Sequence, residues 1–154
     1  MASETCRQLA ARTERELLDN ILPFWLEQAP DREQGGFWAR VSPDLQVRER
    51  SPRGLILTTR ILWTFAAAFH QYKNPAYLEM ARKAYEEVCS AFIDPRYGGV
   101  FWMLDAERRP IDDSKKIYGQ AFAIYSLVEY HAASGDAGAL EQALAIYELI
   151  EKHN

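Results

Sequence analysis

Cysteine is scarce in this sequence, and basic residues never gather into a run. The 154 residues include two cysteines, Cys6 and Cys89, which are not in a CxxC spacing. This argues against a disulfide framework and favours a reducing compartment. The densest cationic cluster lies at positions 48–53 and is interrupted by Glu49, and the net charge is −4. The chain therefore lacks the basic patch that nucleic-acid binders present.

Long apolar runs are also missing. Residues 1–20 are charged and amphipathic, without the apolar core of a secretory signal. The longest apolar run, Ile61–Phe69, is too short to span a bilayer. We therefore expect a cytosolic protein that binds neither nucleic acid nor membrane. Its composition, 48% hydrophobic and 26% charged, is typical of a globular domain.

Helical periodicity is what the sequence does contain. Apolar residues recur at three- and four-residue spacing, and Asn74 followed by Pro75 is a helix start signal, as is Ser51 followed by Pro52. Pro23 predicts a kink late in the first helix. The Asp112-Asp113 pair is expected at a helix N-terminus rather than as an acid pair. The predicted helices are 4–28, 51–72, 75–92, 114–133 and 137–152.

The order of a Gly-Gly loop, an apolar helix and an amphipathic helix occurs twice. The second Gly-Gly pair follows the first at an offset of 63 (98 − 35), and Tyr147 follows Tyr85 at 62 (147 − 85). This indicates an internal repeat. We predict one incomplete barrel domain over 1–154, with repeats at about 31–92 and 94–154 after helix 4–28.

The two helices of each repeat differ in their apolar surface. Helix 51–72 is apolar nearly all round, which predicts that it is covered on every side, whereas helix 75–92 has a single apolar face. This favours concentric rings of helices, of which two repeats form only a part. A guanidinium inside such a helix is costly unless paired, so Arg60 is expected to face either a carboxylate or a polar cavity. The alternative fold is a complete five-helix bundle.

Five sequence motifs occur in the same order in one known family: LPFW at 22–25, GGFW at 35–38, RGLILTTRILWTF at 53–65, DPRYGGVFW at 94–102 and KIYGQAFAIYSLVEY at 116–130. They resemble the N-acylglucosamine 2-epimerase family, and within it most closely the cellobiose 2-epimerases. The resemblance covers essentially the whole chain. It implies an all-α fold: the N-terminal part of an (α/α)6 barrel, or toroid, with about five helices and Gly-Gly hairpin loops.

The reaction that the resemblance implies is epimerisation at C2 of a reducing-end sugar, or a related aldose–ketose isomerisation, without metal or other cofactor. One histidine removes the C2 proton, an enediolate forms, and a second histidine returns the proton; imidazole has a suitable pKa. The family's histidines lie on later inner helices. We therefore expect no catalytic residue in this chain, bases beyond Asn154, and no activity of the chain alone. The sugar stays open among cellobiose, mannobiose, mannose and N-acylglucosamine.

Two polar residues carry over from the family as substrate-binding candidates. Arg60 matches the arginine of RILW, and Tyr118 matches the tyrosine of YGQAF. Their counterparts in the other repeat, Ala123 and Leu55, are apolar, so the fold itself does not require polar side chains there. This favours function over a structural ion pair or a core tyrosine. Weaker candidates are the tryptophans after the glycine pairs and an inner-helix glutamine: Trp38, Trp102 and Gln120.

Two other functions remain as alternatives. A glycoside hydrolase or lyase on the same toroid would need two carboxylates flanking the bond. A non-catalytic helical-repeat interaction module would have a repeat nearer 34 residues. As partners we expect a sugar and either the remainder of the barrel or a second copy that associates through open helix edges.

Overall fold

Helices account for most of the chain in this computed structural model, which describes residues 3–48 and 50–153. The chain divides into two compact units, one up to Pro30 and one from Asp31 onward. None of the helices in the described part is long and apolar enough to cross a bilayer.

The first unit is one continuous helix with a widened turn. It consists of α1 (Glu4–Glu16), a π-helical turn (Leu17–Ile21) and α2 (Leu22–Gln28), which confirms the predicted helix 4–28. Pro23 lies in the first turn of α2. Because proline has no amide hydrogen and its ring crowds the preceding turn, the regular ladder is interrupted before it. The irregularity predicted at Pro23 is this π-helical turn.

Four helical segments build the second unit. Helix α3 packs against both α4 and α5, and α5 packs against α6. Helix α4 continues into a second π-helical turn, so the helix extends over 75–92 as predicted. The segments are α3 (Leu55–Tyr72), α4 (Pro75–Glu87) with its π-helical turn (Val88–Phe92), α5 (Ile117–Ser134) and α6 (Ala137–Lys152).

Side chains close the N-termini of the two amphipathic helices. Asn74 accepts a hydrogen bond from the Ala76 amide in front of α4, and Asp136 caps α6 in the same way. Gly135, with φ of 78°, ends α5 in the left-handed conformation that glycine adopts without strain. These local signals explain why the predicted limits of α4 and α6 are confirmed.

The predicted starts of the two apolar helices are too early. Helix α3 begins at Leu55 rather than 51, because Arg53–Gly54 forms a short strand, β1, that pairs with β2 (Met103–Leu104). Helix α5 begins at Ile117 rather than 114. The start of α3 is displaced by pairing between distant segments, which the Ser51-Pro52 signal does not report.

The small sheet also corrects the expectation for Asp112-Asp113. Strand β3 (Pro110–Asp112) pairs antiparallel with β2, giving the order β1-β2-β3. Asp112 thus ends a strand, and its carboxylate accepts hydrogen bonds from the amide and hydroxyl of Ser114. It lies at the end of β3, before α5 begins at Ile117, and not in the helix N-terminus.

The two Gly-Gly loops fold through the same backbone hydrogen bonds. In the first, the Asp31 amide donates to the Gly36 carbonyl at 3.0 Å, and the Gly35 amide donates back to the Asp31 carbonyl at 3.1 Å. In the second, Asp94 and Gly98–Gly99 make the same pair of bonds at 2.9 and 3.0 Å. All four glycines have φ between 69° and 80°, which favours glycine at each position.

Each loop aspartate also binds a basic side chain that follows the loop. Asp31 Oδ2 accepts from Arg53 Nη2 at 2.6 Å, and Asp94 Oδ2 accepts from Lys115 Nζ at 2.8 Å. The other carboxylate oxygen accepts two loop amides in both cases. The Lys115 ammonium and these amides hold the pKa of Asp94 below its usual range. The two sequence repeats thus share the same pattern of hydrogen bonds in their Gly-Gly loops.

We expect Gly99→Ala to lower the free energy of unfolding by about 2–4 kcal/mol. A Cβ at Gly99 would stand 2.7 Å from Gln120 Oε1 and 2.9 Å from Leu149 Cδ2, at a φ of +69°. The matched control is Gly54→Ala, because no atom lies within 4 Å of a Cβ built there and its φ is −96°. Urea denaturation measures both; equal losses would contradict the steric explanation.

Candidate functional site

Arg60 lies in the second turn of α3 and is exposed rather than buried. Its guanidinium carbon stands 5.5 Å from the ring centroid of Phe122 on α5, a cation–π arrangement. No carboxylate in the described part of the chain forms an ion pair with it. The prediction that α3 is covered on every side is therefore wrong at Arg60. Arg60 instead lines a groove between α3 and α5.

The groove has a volume of about 600 Å³. Three of its seven lining side chains are aromatic, and Trp63 stacks on Tyr125 with ring centroids 5.2 Å apart and ring planes at 15°. The only ionic side chain among its lining residues is Arg60. The residues that line it are Thr59, Arg60, Trp63 and Thr64 from α3, and Ala121, Phe122 and Tyr125 from α5.

Tyr118 extends the aromatic wall at the start of α5. Its side chain is 55% exposed, and its ring lies 4.8 Å from that of Phe122 and 6.4 Å from that of Trp102. Arg60 and Tyr118, the two leading candidates, therefore both contact Phe122. We call the connected rings the aromatic row: Trp102, Tyr118, Phe122, Tyr125 and Trp63.

The sequence reasoning did not select three members of this row. Phe122 and Tyr125 follow Tyr118 at four and seven residues, and Trp63 follows Arg60 at three. These are the spacings that place side chains on one face of a helix. The helix-face pattern around the two polar candidates is the signal that finds them.

The two tryptophans after the glycine pairs differ in their surroundings. Trp102 is half-buried and belongs to the aromatic row, and Lys116 Nζ lies 4.2 Å from its ring centroid. Gly119 allows this approach, since a Cβ there would be 3.2 Å from the Trp102 ring. Trp38 is half-buried in the first Gly-Gly loop, and within the described residues no ring contact joins it to the row.

Gln120 is 2% exposed, and both ends of its amide bind the second Gly-Gly loop. Nε2 donates to the Val100 carbonyl and Oε1 accepts from the Val100 amide, each at 2.8 Å. The residue does not line the groove at Arg60. The structure therefore gives Gln120 a structural contact, in which it holds the loop against α5.

A buried ionic cluster lies beneath the first Gly-Gly loop. Arg53 and Asp31 form an ion pair whose side chains are 5% and 0% exposed. Next to it, Glu87 pairs with Arg108 at 2.8 Å. Burial raises the pKa of Glu87, while the Arg108 charge acts in the opposite direction. These pairs hold the loop, the start of α3 and the β2–β3 hairpin together.

The histidines of the described chain stand away from the groove. His70 and His131 are in the last turns of α3 and α5, whereas Arg60 and Tyr118 are in the first two turns. His70 lies ten residues beyond Arg60, about 15 Å along the helix axis. His131 Nδ1 is 2.8 Å from the Asp136 carbonyl oxygen. In the described part, no three metal-binding side chains cluster closely enough to hold an ion.

Comparison with known proteins relates this arrangement to sugar epimerases. The profile of the family described as N-acylglucosamine 2-epimerase (GlcNAc 2-epimerase) matches residues 35–154. The chain is 40% identical over 146 residues to the cellobiose 2-epimerase of Bacteroides fragilis, covering 95% of this chain and 37% of that protein. The relatives it matches are thus more than twice as long.

Solved structures agree with the sequence comparison. The cellobiose 2-epimerase from Spirochaeta thermophila superposes with a TM-score of 0.91 and 42% identity, covering 96% of this chain and 36% of that chain. A D-mannose isomerase superposes with a TM-score of 0.80 and 26% identity, covering 98% and 36%. The chain matches the N-terminal third of the cellobiose 2-epimerase structures, which are (α/α)6 barrels, so the predicted fold class is confirmed.

Proposed function

This chain belongs to the N-acylglucosamine 2-epimerase family, and from that membership we propose that it supplies one wall of the sugar site of a 2-epimerase. The observation that carries the proposal is the groove between α3 and α5, where Arg60 and Tyr118 both contact Phe122. A groove with a cation, a phenol and aromatic faces fits a sugar, which presents hydroxyl groups at its edge and C–H groups on its faces.

Arg60 has the strongest chemical role in the proposal. Proton removal at C2 leaves negative charge on the sugar oxygens of an enediolate, and a planar guanidinium with several N–H donors stabilises that charge. Because no carboxylate of the described chain pairs with Arg60, its donors face the groove without a competing anion. The Tyr118 hydroxyl serves as a second donor.

The bases that move the proton are assigned to other parts of the enzyme. C2 epimerisation needs groups that titrate near neutral pH, and imidazole is the usual choice. The described residues bring no histidine to the groove, since His70 and His131 are at the far ends of their helices. We assign both bases to helices outside 1–154 and expect no epimerisation by the chain alone.

The remainder of the barrel is the proposed partner of the second unit. Several apolar side chains of α5 and α6 are 44–62% exposed, an extent that marks interaction surfaces when such residues adjoin. The thiols are free, which fits the cytosolic location we propose. The exposed apolar residues outside the aromatic row are Ile117, Val128, Leu144 and Tyr147.

The proposed substrate class is a reducing-end glucose disaccharide such as cellobiose. The chain is 42% identical to a structure named cellobiose 2-epimerase and 26% identical to one named D-mannose isomerase. The higher identity favours the disaccharide and C2 epimerisation over aldose–ketose isomerisation of a free monosaccharide.

A chimera tests the proposal. Residues 1–154 replace the matching 37% of the Bacteroides fragilis cellobiose 2-epimerase, and conversion of cellobiose to its C2 epimer is followed by NMR. We expect the chimera to epimerise and the separate 154-residue chain to be inactive. A chimera that unfolds cooperatively on heating yet leaves cellobiose unchanged would overturn the proposal. Activity of the separate chain would overturn the assignment of the bases.

The same assay addresses the glycoside hydrolase alternative. Hydrolysis needs two carboxylates beside the scissile bond. None of the residues that line the groove is acidic. We therefore expect no glucose to be released from cellobiose by the chimera.

A further inference from the structure

A second groove, distinct from the one at Arg60, lies between the second Gly-Gly loop and the end of α6. Its volume is about 400 Å³. Tyr97 and Lys115 line it from the loop side, and Leu149 and Ile150 line it from α6. We call it the α6 groove. The sugar chemistry proposed above makes no use of it.

The equivalent place in the first repeat is covered by a hairpin turn. The turn between β2 and β3 carries Arg108 in the left-handed conformation, with φ of 66°. Its guanidinium pairs with Glu87 at 2.8 Å and donates to Ser90 Oγ at 2.7 Å. A Cβ on Gly35 would lie 3.6 Å from the same guanidinium. The turn of one repeat thus covers the Gly-Gly loop of the repeat before it.

The first repeat has the same turn with a different residue at its tip. Leu45 stands 63 positions before Arg108 (108 − 45) and has φ of 61°. The Leu45 amide donates to the Ser42 carbonyl at 2.9 Å, and the Arg108 amide donates to the Asp105 carbonyl at 3.2 Å. Leu45 is 51% exposed. The repeat therefore accommodates either an arginine or a leucine at this position.

The α6 groove has lost both acceptors that hold Arg108. Leu149 stands where the first repeat has Glu87 (149 − 87 = 62), and Lys152 stands where it has Ser90 (152 − 90 = 62). Lys115, which lines the groove, is already paired with Asp94 at 2.8 Å. A guanidinium placed here would find Leu149 instead of the carboxylate that binds Arg108, whereas an apolar side chain would pack on Leu149.

We propose that the α6 groove binds the hairpin turn of a further repeat unit, one that carries an apolar residue at the left-handed position. The occupant follows from the internal repeat, because the same chain shows how a turn covers the equivalent groove and shows, at Leu45, that the turn can be apolar. This proposal depends on the repeat geometry and not on the sugar chemistry. The binding of a turn and the sugar site can therefore be disproved independently of each other.

A pair of peptides tests whether the α6 groove prefers a turn with an apolar residue at the left-handed position. Residues 41–47, closed into a ring across the Val41–Val47 bridge that joins them in the fold, are prepared with leucine and with arginine at position 45. Each is titrated into the full 154-residue chain and followed by amide NMR shifts. We expect the leucine peptide to bind at least about tenfold more tightly, with shifts centred on Tyr97, Leu149 and Ile150. Equal affinities, shifts elsewhere, or no saturable shift of the leucine peptide would overturn the proposal.

Leu149→Glu provides the matched variant, because it restores the residue that the first repeat has at this place. We expect the Leu149→Glu chain to bind the arginine peptide more tightly than the leucine peptide. If this variant fails to fold, Lys152→Ser replaces it, and we expect Lys152→Ser to weaken the preference for the leucine peptide. Unchanged preference in a folded variant contradicts the proposed contact. Self-association of the wild-type chain that is lost in Leu45→Arg would identify a second copy as the occupant and overturn the assignment to a further repeat unit.

Discussion

Arg53→Ala is expected to lower the free energy of unfolding by about 3–5 kcal/mol, the range for removal of one partner from a buried ion pair. The substitution leaves the Asp31 carboxylate, whose side chain is 0% exposed, without its cation. It also removes a donor to the Gly35 carbonyl and a positive charge near Glu87. Two acceptors thus lose their donor and Glu87 loses a nearby positive charge, and urea denaturation of the chain measures the loss.

Lys115→Ala is the natural control for Arg53→Ala, because Lys115 holds the equivalent aspartate in the second loop. Its side chain is 28% exposed and that of Asp94 is 8% exposed, so solvent replaces much of the lost contact. We expect a loss of about 1 kcal/mol. If the two variants lose equal stability, burial is not what makes the Arg53 pair important. Arg53→Lys keeps the positive charge but removes the planar guanidinium, because an ammonium cannot bind Asp31 and Gly35 with one planar group.

The sequence predicts the helices whose ends depend on neighbouring residues. Asn74 and Asp136 cap α4 and α6 through their own side chains, so the ends of these helices follow from local chemistry. The start of α3 depends instead on strand pairing, that of Arg53 with Leu104 across about fifty residues. Pairing between distant segments leaves no local pattern, and the Ser51-Pro52 signal therefore predicts the start of α3 too early.

The candidate site likewise has a part that the sequence predicts and a part that depends on contacts between distant segments. Arg60 and Tyr118 are selected as candidates from the sequence because they occur in the family's motifs and because their counterparts in the other repeat, Ala123 and Leu55, are apolar. Their shared contact with Phe122 depends on how α3 packs on α5, which the sequence does not specify. The pairing of Arg53 with Asp31 is missed for the same reason: it joins residues 22 positions apart, and Arg53 looks like one more surface cation.

Arg60→Ala in the chimera is expected to lower kcat for cellobiose epimerisation by about 10²–10³-fold, as removal of one oxyanion donor does in other enzymes. The reason is that negative charge develops on the sugar only after the C2 proton has left, so the guanidinium stabilises the transition state more than the bound sugar. We therefore expect a larger effect on kcat than on KM. Steady-state kinetics with NMR detection measure both.

Two further variants distinguish this role from a structural one. Arg60→Lys keeps the charge but loses the planar set of donors, so we expect partial activity between wild type and alanine. Arg82→Ala removes an exposed arginine of α4 that pairs with Glu79 and Glu86, and we expect it to leave kcat unchanged. Because Arg60 is exposed and has no buried anion to neutralise, its loss should change the free energy of unfolding by less than about 1 kcal/mol. A stable Arg60→Ala chimera with full kcat would remove Arg60 from the reaction and leave the groove without its charge-stabilising group.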